Sequence, residues 1–156
     1  HEERLSNISY IGLAITEVCE AVNADRKNLH SVQLHNQHLM PNDDFKAYFE
    51  GCIKDSVEDE IADTVIRLID YAELRWKGEI PYVSPEGMTP NLNETFLENA
   101  THLIREVMDI DAAAVVNSIA YCYALAEQLG FDLDEHIKCK MRYNTLRPYR
   151  HGNKKY

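Results

Sequence analysis

No stretch of the 156-residue chain approaches the roughly 20 consecutive apolar residues that a membrane span requires, so nothing in the pattern predicts insertion into a bilayer. The first residues carry no signal-peptide pattern either. Cysteine is scarce: Cys19, Cys52, Cys122 and Cys139 form no C-x-x-C pair, and most sit among apolar residues at helical spacing. That removes the basis for a thiol redox pair or a disulfide framework, and reduced thiols in a cytoplasmic protein are the expectation. Strand-like alternation is absent, whereas a helical period recurs almost everywhere. An all-α fold follows. Acids are missing from one region, since none follows Glu135, while Lys138, Lys140, Arg142, Arg147, Arg150, Lys154 and Lys155 do. With an overall charge of −10, those seven cations leave −17 on the residues before them. A body so acidic repels a nucleic-acid backbone, so the basic end does not by itself argue for DNA or RNA. A small polyanion escorted by magnesium suits the distribution better.

What is present is a set of amphipathic helices in one expected domain over residues 1–156, a length at which folding buries about 68–70% of the unfolded surface. The first helix is expected over residues 7–24, with Ile8, Ile11, Ile15, Val18 and Val22 on one stripe and Glu17 and Glu20 roughly opposite, near Leu13 and Ala24. Acids mixed with apolar groups suggest that this second surface is also covered. Residues 25–54 are less regular. A short amphipathic piece after Asp43 and Asp44 repeats Phe45, Tyr48, Phe49 and Cys52, and is expected to act as a lid or to contact a second subunit. Ser56 is a suitable N-cap for a helix running to Lys77 and closed by Gly78, with Ile61, Val65, Leu68, Ile69, Ala72 and Trp76 as its core stripe. Glu60, Asp63, Arg67 and Asp70 share the other side, and Asp70 is expected to pair with Arg67 or to face water.

Residues 79–92 contain Pro81, Pro85, Gly87 and Pro90 and cannot continue a helix, so they divide the chain into two helical halves. The second half predicts helices over 93–108, over 111–129 closed by Gly130, and from Asp132 to near Leu146. The last opens with a capping pattern, Asp132 to Glu135, and stops because Pro148 disfavours a helical Arg147. Its core stripe is expected to be Leu133, Ile137 and Met141, with Lys140 and Arg147 beside it. The expected architecture is a bundle of about five main helices.

The chemistry rests on two acidic pairs, Glu17/Glu20 and Glu60/Asp63, each three residues apart and therefore on one side of its helix with Cβ atoms roughly 5–6 Å apart. Converging carboxylates suit magnesium, which takes oxygen ligands at about 2.0–2.1 Å and keeps waters or phosphates in its shell. Lys140, Asn144 and Arg147, at i, i+4 and i+7, can meet an anion along one helix edge. Acids for a metal and a basic end for phosphates suggest a nucleotide.

With its E-x-x-E helix reading TEVCEA, its E-x-x-D helix reading DEIADT and its ending KMRYNTLRPYRHG, the chain resembles the all-α nucleoside triphosphate pyrophosphohydrolases of the MazG-like and dimeric dUTPase type. The resemblance covers most of residues 8–156, although its specific part is about ten positions, and 39 residues separate Glu20 from Glu60. It implies that Glu17, Glu20, Glu60 and Asp63 are magnesium ligands, with manganese as a substitute. One of Glu17 and Glu20 would also serve as the base for water. Lys140 and Arg147 would hold phosphate oxygens, and Asn144 would bond phosphate or sugar. The implied reaction is attack at the α,β-phosphoanhydride, giving a nucleoside monophosphate and pyrophosphate, in nucleotide-pool housekeeping. A homodimer or homotetramer is implied as well, consistent with helices that have two apolar or semi-apolar sides.

Either acidic pair alone reads as a solvated helix face; two pairs on apolar-striped helices, joined to a basic ending, point to a metal and phosphate site. The competing class is a noncatalytic helical module that binds nucleotides or a partner protein and keeps its acids as a structural cation site. His30, His35 and His38 sit in a polar stretch without a matching ligand set and read as surface loop. Tyr121, Tyr123 and Trp76 read as packing residues, and the tail from Arg150 to Tyr156 as a solubilising segment.

Overall fold

A computed structural model describes residues 6–80 and 89–147. These residues form six α-helices and no strand: α1 (Asn7–Arg26), α2 (Asn42–Cys52), α3 (Val57–Trp76), α4 (Phe96–Val107), α5 (Ala112–Leu129) and α6 (Leu133–Leu146), with a 3-10 turn at Gln37–Leu39. The proline-rich connection expected at 79–92 falls largely on residues 81–88, and Arg150, Lys154 and Lys155 follow residue 147. Both lie outside the described residues. No described helix is long and apolar enough to cross a membrane.

Helix ends follow local side-chain chemistry. Ser56, Asp111 and Asp132 cap α3, α5 and α6, each accepting a bond from the backbone N–H three residues on. Helix α4 starts three residues later than expected, because Thr95 and Glu98 form a reciprocal capping box. Gly130 takes the left-handed conformation that closes α5, while Lys77 adopts it at the end of α3, just before Gly78.

Helix α3 is central. It packs along α1 and also meets α5 and α6, while α4 joins α1 to α5. The α1 face that enters the core is built from Ile11, Ala14, Val18, Ala21 and Ala24, whereas Ile8 is 77% exposed and Ile15 and Val22 are partly buried. The buried face is therefore turned from the expected isoleucine stripe toward the alanines, whose small side chains suit close helix packing. This rotation carries Glu17 inside. On α3 the buried set is Ile61, Ala62, Val65, Leu68, Tyr71 and Ala72, while Ile69 is half exposed.

A second, smaller core lies under α6, where Leu34, Phe45, Phe49 and Ile53 meet Cys139 and Tyr143. Phe49 stacks on Tyr143 with ring centroids 4.2 Å apart and planes 13° apart. The apolar stripe of α2 is thus covered by its own chain, as a support for α6. Helix α6 also differs from its expected register: Met141 is 57% exposed and Ile137 only partly buried, while His136, Cys139, Lys140 and Tyr143 face inward with Leu133. Hydrophobicity alone misplaces this face, because two of its members are a buried imidazole and a buried ammonium.

Candidate metal and phosphate site

The E-x-x-E spacing places Glu17 and Glu20 on the side of α1 that meets α3, where Glu60 and Asp63 occupy the first two turns. Helix α6 brings Lys140, Asn144 and Arg147 to the same place. All seven line one cleft of about 350 Å³, which Lys54, Asp55, Ile66, Arg67, Asp70 and Tyr143 complete. The cleft is mixed in charge, and most of its charges have partners. Arg67 donates through Nε to Glu17 at 3.1 Å, Lys54 pairs with Asp55 at 2.9 Å, and Lys140 reaches Asp59 at 2.9 Å and Asp63 at 2.7 Å. Glu20, Glu60 and Asp70 are the exceptions, since their carboxylates have no hydrogen-bond or ion-pair partner among the described residues.

Carboxylate oxygens of Glu17, Glu20 and Glu60 lie within 4.8 Å of one another. Opposite ligands of an octahedral magnesium are about 4.2 Å apart, twice its ~2.1 Å bond length, so small side-chain adjustments would close three ligands on one ion. The donor set fits that cation: all oxygen, all from carboxyl groups, two of three unpartnered. Asp63 stands outside this trio, with Oδ2 held by Lys140.

Electrostatics follow burial. Glu60, only 4% exposed, has its pKa pushed up to about 9 by burial and then by the Asp59, Asp63 and Glu20 charges, with Lys140 opposing. Burial and Asp63 raise Glu17, partly offset by Arg67. Burial likewise raises Asp70, against the pull of Arg67. Arg67 closes its bond on Glu17 across the helix pair, and Asp70 is exposed, the second of its two expected placements. Asp59 is raised to about 6 by burial despite Lys140. Burial disfavours the Lys140 ammonium, but the Asp59 and Asp63 carboxylates outweigh it and hold its pKa above the ordinary lysine value. The pair is therefore ionic at neutral pH.

Lys140 does not stand free at the mouth. It is 6% exposed and spends its donors on Asp59 Oδ1 and Oδ2, at 3.0 and 2.9 Å, and on Asp63. Arg147 lies with its guanidinium 5.5 Å from the Tyr143 ring and its Nη1 3.4 Å from Asn144 Oδ1, while its Nε is buried with no partner. Asp59 is the principal residue missed from sequence. Its i, i+4 relation to Asp63 along α3 was the available signal.

The three histidines do not gather. His30 Nδ1 meets Glu58 at 3.1 Å, His38 Nδ1 meets Glu135 at 2.7 Å, and His35 is exposed with its backbone N–H on the Gln37 side chain. Glu58 also accepts from Ser31 N, which ties the loop to the N-terminus of α3. Glu135 is thereby diverted from its expected capping box: Asp132 caps its backbone N–H, but its carboxylate serves His38. Tyr121 is buried and donates to Asn99, while Tyr123 is 41% exposed and bonds Asp134. Comparison with family models, curated proteins and solved structures finds no match to this chain.

Proposed function

We propose that this protein is a magnesium-dependent nucleoside triphosphate pyrophosphohydrolase of MazG-like type. The observation that carries the reading is the convergence, in one cleft, of two unpartnered carboxylates beside Glu17 and of a basic helix edge with a buried, unsatisfied guanidinium nitrogen. Glu17, Glu20 and Glu60 hold the metal, and Asp63 joins them as described below. When bound, magnesium supplies charge neutralisation on the triphosphate and lowers the pKa of the attacking water. Glu20 is the freer of the two α1 glutamates to accept the water's proton, because Glu17 already accepts from Arg67. The water oxygen bonds to the α-phosphorus, the bond from that phosphorus to the bridging oxygen breaks, and pyrophosphate leaves with the electron pair. Lys140, Asn144 and Arg147 orient the phosphate chain through charge-assisted contacts.

The same reading places the protein in the cytoplasm, acting on the nucleotide pool as a homodimer or homotetramer. Exposed Ile8, Ile69, Leu97 and Met108 are the apolar surface that assembly would cover. A second reading, a noncatalytic module with a structural cation site, draws on Lys140 as a cation already built into the acids. A panel of nucleoside triphosphates, with and without magnesium, separates the two. Magnesium-dependent release of pyrophosphate from at least one is the expected result. Nucleotide-induced thermal stabilisation with no pyrophosphate from any member would leave the noncatalytic module.

A further inference from the structure

We infer that Lys140 is an exchangeable counter-ion that keeps Asp63 out of the metal set until a triphosphate takes over its ammonium, so that phosphate chain and a second divalent cation enter the site together. This rests on the proposed function and adds its regulation. Lys140 donates to both oxygens of Asp59 and forms an ion pair with Asp63 Oδ2 at 2.7 Å, so three acceptor oxygens surround an ammonium that has three N–H donors. In this state none is left for a phosphate, and Asp63 Oδ2 is unavailable to a metal. The two ends of the contact differ in depth. Asp59 is 1% exposed and doubly bonded, whereas the Asp63 side chain is 15% exposed at the cleft. Asp63 is therefore the partner that can be given up while Asp59 keeps the lysine in place. An anion has a second reason to come to this edge, because Arg147 Nε is buried without an acceptor. Once released, Asp63 stands one turn from Glu60 in the cleft that Glu17 and Glu20 also line, and its freed carboxylate with those neighbours would hold the second cation. The coupling is reciprocal: whatever factor the phosphate chain adds to binding of the second cation, that cation returns to the phosphate chain.

Manganese counted by electron paramagnetic resonance on the full chain tests this, with inorganic tripolyphosphate as a probe free of base preference. Without tripolyphosphate the wild type is expected to bind one manganese, Lys140→Met two, and Lys140→Met/Asp63→Asn one. If Lys140→Met alone does not fold, Lys140→Met/Asp59→Asn removes both charges of the deep pair and is likewise expected to bind two. With excess tripolyphosphate, the wild type should gain two manganese ions, one carried by the phosphate chain and one on Asp63, whereas Asp63→Asn should gain one. A wild type that binds two ions before tripolyphosphate, a lysine variant that binds only one, or equal gains in wild type and Asp63→Asn would overturn the exchange. Absence of both manganese binding and pyrophosphate release would instead overturn the proposed function itself. Pyrophosphate release with two ions bound from the start overturns the exchange alone.

Discussion

Glu60→Gln removes one ionisable group from the carboxylate cluster while keeping its shape, and its effect on stability has a defined sign. In the metal-free protein the Glu60 carboxyl is raised from 4.5 to about 9 by burial and by Asp59, Asp63 and Glu20. Between those values the folded protein holds a proton that the unfolded chain has released. Stability from this group is therefore complete below 4.5 and is lost as pH rises toward 9. One proton corresponds to about 1.4 kcal/mol per pH unit. The window from pH 7 to 8 isolates it. Asp59, raised to about 6, and His136, lowered to about 4, have passed their transitions, while the Cys122 and Cys139 thiols, pushed up to about 12, take over only at higher pH.

The metal-free wild type should then lose about 1.4 kcal/mol from pH 7 to 8, a fall in Tm of roughly 3–5 °C for a domain of this size. Glu60→Gln should lose little over the same interval. Magnesium requires the ionised carboxylate, so saturating magnesium should raise the wild-type Tm more at pH 8 than at pH 7 and the variant less at both. Thermal melts in chelator and in magnesium, checked by urea unfolding, measure all four quantities. A wild type equally stable at the two pH values, or a variant with the wild-type slope and magnesium response, would refute the assignment of Glu60 to a crowded cation site.

Asp59→Asn should cost about 3 kcal/mol in urea unfolding, the low end for a broken buried ion pair, because Asp63 still partners Lys140. Phe49→Ala should cost about 3–5 kcal/mol by removing the stack beneath Tyr143 and the floor of the second core; a loss below 1 kcal/mol would show that α2 does not support α6. His136 is buried against Phe131 with its pKa lowered from 6.5 to about 4 by burial, so its contribution to stability is present above 6.5 and lost as pH falls toward 4. His136→Leu should flatten that acid limb in melts between pH 6.5 and 4.5. Light scattering at micromolar concentration should give a dimer or tetramer mass, and an active, sharply monomeric protein would contradict the proposed assembly.

The all-helical class and most helix ends were legible because they depend on neighbours in sequence. Ser56, Asp111, Asp132 and Gly130 sit where a cap acts on a backbone group a few residues away. Thr95 and Glu98 carried an equally local signal for the start of α4. Helix faces were less legible. On α1 the isoleucines outweigh the alanines in any hydrophobic stripe, yet close contact with α3 selects the small residues and turns Ile8 to water. On α6, Met141 is the apolar residue and Lys140 the charged one, and their burial is the reverse of what hydrophobicity orders.

The cause of that reversal lies 81 residues away, where Asp59 meets the lysine. Spacing of three along a helix fixes how two carboxylates face one another, which is why each acidic pair could be placed on one side of its own helix before any tertiary contact was known. It does not fix which cation answers them. Burying an ammonium is unfavourable until an opposing charge is buried with it, so neither Lys140 nor Asp59 has an inward preference of its own; only the pair does. The 30-residue segment that carries α2 sets this pairing, because Phe49 and Tyr143 hold α6 at the depth where Lys140 Nζ lies 5.6 Å from the Phe49 ring and within reach of both aspartates. Two local patterns that looked independent, acids on α1 and α3 and bases on α6, are therefore one electrostatic unit, and a ligand that engages either half has to renegotiate the contact between them.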